Sequence, residues 1–150
     1  MEGDSIMDND LKRSIILDNY SNAKNRSIPE DISDYVVINS NNQSCIDNIN
    51  IYLKINKDNV IEDVKFEGEA CVIAISSTSI LSDMLIGKSI DEAKNILKNY
   101  FNMIEEQDYD KELLGEANVY EDMYKQPSRK TCATLFARGI GNYIKEIDNN

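Results

Sequence analysis

Seven residues constrain this chain more than any others. From Ile49 to Ile55, the apolar Ile49, Ile51, Leu53 and Ile55 alternate with Asn50, Tyr52 and Lys54. Period two places the four apolar side chains on one face, so the segment reads as a half-buried strand. Asp58-Asn59 is a turn signal, and Val60, Val64 and Phe66 point one way along a second strand that Gly68 closes. The two strands are expected to pair as an antiparallel hairpin.

Around this hairpin the period changes. Leu11, Ile15, Ile16 and Tyr20 predict an amphipathic helix over roughly residues 8–22. A polar stretch with Pro29 and a short apolar run at Tyr35–Ile38 lead into the strands. Residues 71–86 read as helix, stopped by Gly87. Ser89 and Glu92 form a capping box, and Ile90, Ala93, Ile96, Leu97, Tyr100, Phe101 and Ile104 continue at helical spacing. Residues 105–125 are acidic and Tyr-rich, predicting a short helix plus loop. Pro127-Ser128 opens a last helix through Leu135, Phe136, Ile140 and Tyr143 to about Ile147. Helix, strands, then helices imply an α+β fold, an antiparallel sheet of about three strands with helices packed on one face. The length predicts one domain over 1–150, with residues 1–8 flexible.

Composition narrows the chemistry. Against 27 Asp+Glu stand 16 Lys+Arg, a net charge of −11, which disfavours nucleic acid and anionic membrane surfaces as partners. There is no histidine, so Ser-His-Asp triads, Cys-His dyads and His-containing metal sites are excluded. Paired carboxylates such as Glu105-Glu106 lie in a polar stretch and read as solvated surface, and no glycine-rich phosphate loop follows a strand. The start, MEGDSIMDNDLKRS, is polar, and no run of 18 apolar residues exists. The expected setting is the cytoplasm, where thiols stay reduced.

What remains is three cysteines. Cys45 falls on the polar loop SNNQSCID, Cys71 at the junction of strand and helix, and Cys132 in the first turns of the last helix. Helix starts favour thiolate, the form that binds metals and attacks sulfur. In extended chain Cys45 and Asp47 project to one side. Three thiols and that carboxylate would make a tetrahedral set acceptable to zinc or iron. Arg129, one helical turn before Cys132, could hold a negative sulfur species. Spacing alone favours the plainer reading of three unconnected, buried thiols.

The residues around the cysteines go further. ILDNYSNAKN, NQSCID, FEGEACVIAISSTS, GKSIDEA and SRKTCATL occur in that order. They resemble the motifs of the U-type iron–sulfur cluster assembly proteins, most closely the SufU branch, over nearly the whole chain. Arg129, where the scaffold branch has lysine, and the extra segment at about 105–125 are also SufU-like. The pattern departs at Asn19 (a histidine in the family), Ala23 and Gln43 (prolines), Ile46 and Ala70 (glycines), and Thr131 (lysine or histidine).

The resemblance implies zinc held by Cys45, Asp47, Cys71 and Cys132. It also implies that Cys45 accepts persulfide sulfur from a SufS-type cysteine desulfurase and passes it to downstream iron–sulfur assembly proteins. Arg129 would steady the sulfur or the carboxylate. The expected protein is a sulfurtransferase-like carrier rather than a classical enzyme. Two alternatives stand beside it: a scaffold on which Cys45, Cys71 and Cys132 hold iron as a [2Fe–2S] cluster, and a degenerate member acting as an interaction module.

Overall fold

The computed structural model describes residues 7–43 and 46–148. Its centre is the strand expected from the isoleucine alternation, β2 (Asn48–Ile55), which lies between β1 (Val36–Asn41) and β3 (Ile61–Glu69) in an antiparallel sheet of order β1-β2-β3. Ile51 pairs with Phe66 and Leu53 with Val64, and all four are fully buried. The register then slips: Lys54 pairs with Asp63 but Ile55 pairs with Ile61, so Glu62 is the extra residue of a bulge. That extra residue reverses the alternation. Ile61 therefore faces the core where Val60 was expected, and Val60 bridges to Ser89 instead.

Gly68 does not end β3, which continues to Glu69. Its φ of +139° suits glycine alone, and a Cβ there would sit 2.3 Å from the Asn48 carbonyl oxygen. Through this close approach the end of β3 lies against the start of β2.

Helices cover one face of the sheet: α1 (Asn9–Ser21), α2 (Val72–Leu85), α3 (Ile90–Ile104), α4 (Lys111–Leu114), α5 (Pro127–Ala133) and α6 (Leu135–Asp148). α2 is buried nearly all round, which explains its weak amphipathic pattern. Its hydroxyls are satisfied internally: Ser76 Oγ meets Tyr120 Oη at 2.5 Å, and Ser79 Oγ donates to Asn19 Oδ1 at 2.8 Å. α3 begins at the expected capping box, with Ser89 and Glu92 exchanging hydrogen bonds. α6 lies on β1 and β2, where the missing side chain of Gly139 leaves room for Ser40 and Ile51.

Two further sequence expectations change, in the first and the last helix. In α1 the buried residue is Asn19, 4% exposed and bonded to Ser79 and to the Ile15 carbonyl, whereas Leu11 and Tyr20 stay substantially exposed. Ile15 and Ile16 of the apolar stripe do pack against the core, and this polar contact joins them. The flexible start expected over 1–8 lies outside the described residues as far as residue 6, while Asp8 caps α1 by accepting from Leu11 N at 2.7 Å.

The single last helix is two helices. Thr134 leaves helical geometry at φ −106°, ψ 8°, and its hydroxyl donates back to the Lys130 carbonyl at 2.8 Å. Such back-bonding bends helices. Residues 105–125 do hold a short helix, α4, followed by 3₁₀ turns at Gly115–Tyr120 and Met123–Lys125. Among the described residues no helix is long and apolar enough to cross a membrane.

Gly68→Ala is expected to destabilise the fold by about 2 kcal/mol or more, because both the positive φ and the backbone collision oppose a methyl group. Urea denaturation would measure it; an unchanged midpoint would contradict the close β2–β3 approach.

Candidate metal centre

The strand register builds the first half of the site. Because Asn48 pairs with Glu69, Asp47 and Cys71 emerge side by side at one end of the sheet although 24 residues separate them. Asp47 is 1% exposed. Its Oδ1 accepts from the Cys71 amide at 2.8 Å, and its Oδ2 accepts from Asn42 Nδ2 at 3.0 Å. The Asn42 amide in turn donates to the Asp47 carbonyl at 2.9 Å, closing the base of the loop that carries Cys45.

Cys71 is the N-cap of α2, with extended backbone, and its Sγ accepts from Ala74 N at 3.4 Å. This is the helix-start setting expected for it. Its Sγ also lies 3.8 Å from Asp47 Oδ2. Cys132 completes the group: a carboxylate oxygen of Asp47 and the sulfurs of Cys71 and Cys132 all lie within 4.8 Å of one another. Neither described cysteine is in a disulfide.

Cys132 differs from expectation in one respect. Because the chain breaks at Thr134, it lies in the last turn of the seven-residue α5 rather than in the first turns of a long helix. A helix start therefore does not lower its pKa. Burial pushes the thiol well above its usual value, and the neighbouring Cys71 and Asp47 add to that rise.

Cys45 lies outside the described residues. Arg129, on the first turn of α5, is exposed, and its side chain has no hydrogen bond or ion pair among the described residues. The guanidinium beside the group belongs to Arg138 of α6. It donates from Nη2 to Asn42 Oδ1 at 2.6 Å and to the Thr131 carbonyl at 2.8 Å, and from Nε to Thr134 Oγ1 at 3.1 Å. Burial lowers its pKa from the ordinary guanidinium value, while Cys132 and Asp47 act in the opposite sense.

Sequence reasoning missed Arg138 because six residues along an uninterrupted helix would carry it away from Cys132. Only the break at Thr134 turns it back. The available signal for Asn42 was its place at the head of NQSCID.

Two sulfurs and one carboxylate oxygen, drawn together by burial, form a donor set suited to a borderline-soft divalent cation such as zinc. Cys45, two residues before Asp47, is the candidate for a fourth ligand. An apolar core pocket would not collect three potential anions and hold the carboxylate by two hydrogen bonds.

A sheet of three strands covered on one face by helices, with an Asp-Cys-Cys group at one end, defines a class of small metal- or cluster-handling domains. Residues 11–135 match the family model of the NifU-like N-terminal domain, and the chain belongs to that family. It is 35% identical over 126 residues to the zinc-dependent sulfurtransferase SufU of Bacillus subtilis, covering 83% of each chain. To the iron–sulfur cluster assembly scaffold protein IscU of Thermotoga maritima it is 30% identical, covering 88% of this chain and 91% of the relative. The fold is similar to a crystal structure from Fervidobacterium islandicum described as an iron–sulfur cluster assembly scaffold for the SUF system. The TM-score is 0.77 at 31% identity, over 85% of this chain and 91% of that one.

Metal ligation needs thiolates, so the raised Cys132 thiol must lose its proton when a cation enters. Zinc titrated into metal-free protein at neutral pH is expected to release protons, and its apparent affinity to rise with pH. A weakly buffered indicator titration measures both; uptake without proton release would contradict thiol ligation.

Proposed function

We propose that this protein is a zinc-binding sulfur carrier of iron–sulfur cluster assembly, acting in the cytoplasm with a SufS-type cysteine desulfurase. The observation that carries the reading is the convergence of Asp47, Cys71 and Cys132. The sulfurtransferase activity of the Bacillus relative, the SufU-like segment 105–125 and Arg129 support the carrier over other family roles.

Cys45, Asp47, Cys71 and Cys132 would hold the metal. Bound there, zinc would keep the thiols reduced and in place. Cys45, on the loop closed by Asn42 and Asp47, is the sulfur acceptor. Its thiolate attacks the terminal sulfur of the desulfurase persulfide; a new S–S bond forms on Cys45 as the desulfurase S–S bond breaks, and the desulfurase cysteine leaves as thiolate. The step conserves electrons and needs no outside oxidant. Attack by an acceptor on the same terminal sulfur would pass it to the downstream assembly machinery and restore Cys45. Arg129, exposed on α5, would face an incoming partner and steady the negative sulfur.

Incubation with a desulfurase and radiolabelled cysteine tests this. Label is expected on the wild-type protein and absent from Cys45→Ser, while Cys71→Ala loses the zinc, about one per chain in freshly purified protein. Equal labelling of Cys45→Ser and wild type would refute the carrier reading.

The likeness to IscU scaffolds favours a second reading, a [2Fe–2S] cluster built on the same thiolates. Anaerobic reconstitution would then give a coloured cluster that transfers to an apo-acceptor. A protein that is metal-free as purified yet stably folded would favour an interaction module.

A further inference from the structure

We propose that Arg138 is a positioning residue for the metal site, acting through Asn42 and Thr131 without touching a ligand. The inference rests on the metal-binding reading above. It concerns how this chain sets the grip of the site.

Asp47 has two oxygens, and each has a partner from a different part of the fold. Oδ1 is held by the amide that begins α2. Oδ2, the oxygen nearer the Cys71 sulfur, is held by Asn42. The orientation of the carboxylate about its last torsion therefore depends on where the Asn42 amide points. Asn42 is itself fixed by the 2.6 Å bond from Arg138 to its Oδ1, which also determines which end of the amide faces Asp47. With the Oδ1 side taken by a guanidinium, only the NH₂ group can face the carboxylate.

The same guanidinium acts on the other arm of the site. Arg138 Nη2 takes the carbonyl of Thr131, the residue before Cys132, and its Nε takes the hydroxyl of Thr134. Thr131 lies in the last turn of α5, and Thr134 at the break between α5 and α6. One planar cation thus sets the carboxylate of Asp47 through Asn42 and the backbone bearing Cys132 through Thr131. Lysine, a point charge with no fork, could not make all three bonds in this geometry.

Arg138 also keeps its charge near the ligands without neutralising them. Its donors go to three neutral acceptors, while Asp47 accepts from the Asn42 side-chain amide and the Cys71 backbone amide. Partners that orient metal ligands in this way change affinity by about 10–100-fold when removed.

The test compares wild type, Arg138→Gln, Arg138→Lys, Asn42→Ala and the Asn42→Ala/Arg138→Gln double variant. Zinc affinity is measured by competition with a chromophoric chelator, and cobalt-loaded protein supplies thiolate charge-transfer and ligand-field bands. Arg138→Gln is expected to bind zinc at least about tenfold more weakly and to shift the cobalt bands. Arg138→Lys should fall between it and wild type, and decides the matter should the Gln variant not fold. Because Arg138 acts partly through Asn42, the double variant should lose less than the product of the two single losses. Wild-type affinity and cobalt spectrum in both Arg138 variants would overturn the proposal, as would losses that simply multiply. A wild-type protein that takes up neither metal would overturn the metal reading itself, and this role with it. Binding by wild type with undiminished binding by the variants would remove only the role of Arg138.

Discussion

The hydrogen bond from the Cys71 amide to the buried Asp47 carboxylate joins the two halves of the molecule that matter for its chemistry. On one side is the loop entering β2; on the other is the start of the central helix α2. A carboxylate 1% exposed is costly to bury unless its charge is met by donors. Here the start of α2 supplies one and Asn42 another. The helix start also favours negative charge near it. Without the antiparallel register of β2 and β3, which sets Asn48 against Glu69, the two groups would not meet.

That register in turn depends on Gly68. The crossing of β3 past the start of β2 is too close for any Cβ, so a backbone requirement at one position determines whether the carboxylate and the thiol face each other. A structural glycine and a chemical aspartate are thus parts of one device. The bulge at Glu62 lies at the opposite end of the hairpin and leaves this end in regular pairing.

Much of the fold was legible in the sequence because its signals are local. The alternation of Ile49–Ile55, the Ser89–Glu92 capping box and the period of α3 each name their structure within one or two turns of chain. The misreadings arose where distant contacts decide. Asn19 is buried because Ser79 waits for it across the α1–α2 interface, and no α1 pattern announces that. The α5–α6 break goes with the Thr134 hydroxyl bonding back to the Lys130 carbonyl, not with any proline or glycine at the break. As for the site, the motifs around Asp47, Cys71 and Cys132 pointed to a shared centre, and those three groups do converge. The sequence drew attention to Arg129 by its nearness to Cys132, but the guanidinium that reaches the group comes from a different helix.

The electrostatic balance of the centre follows from which acceptors Arg138 takes. Were its guanidinium bidentate on Asp47, the pair would satisfy itself, and a cation would have to break a salt bridge to enter. Instead the guanidinium bonds an amide oxygen, a carbonyl and a hydroxyl, fixing positions while leaving the anionic donors turned toward one another. Burial first, and then the crowding of those donors, raises the Cys132 thiol. A divalent cation entering at that point would relieve the crowding in exchange for protons, so affinity becomes tied to the same contacts that build the site. A nearby positive charge opposes a metal ion at long range, yet it also favours thiolate over thiol. With its charge directed at neutral partners, Arg138 would contribute to both effects, and a site poised in that way can hold a metal while remaining open to ligand exchange.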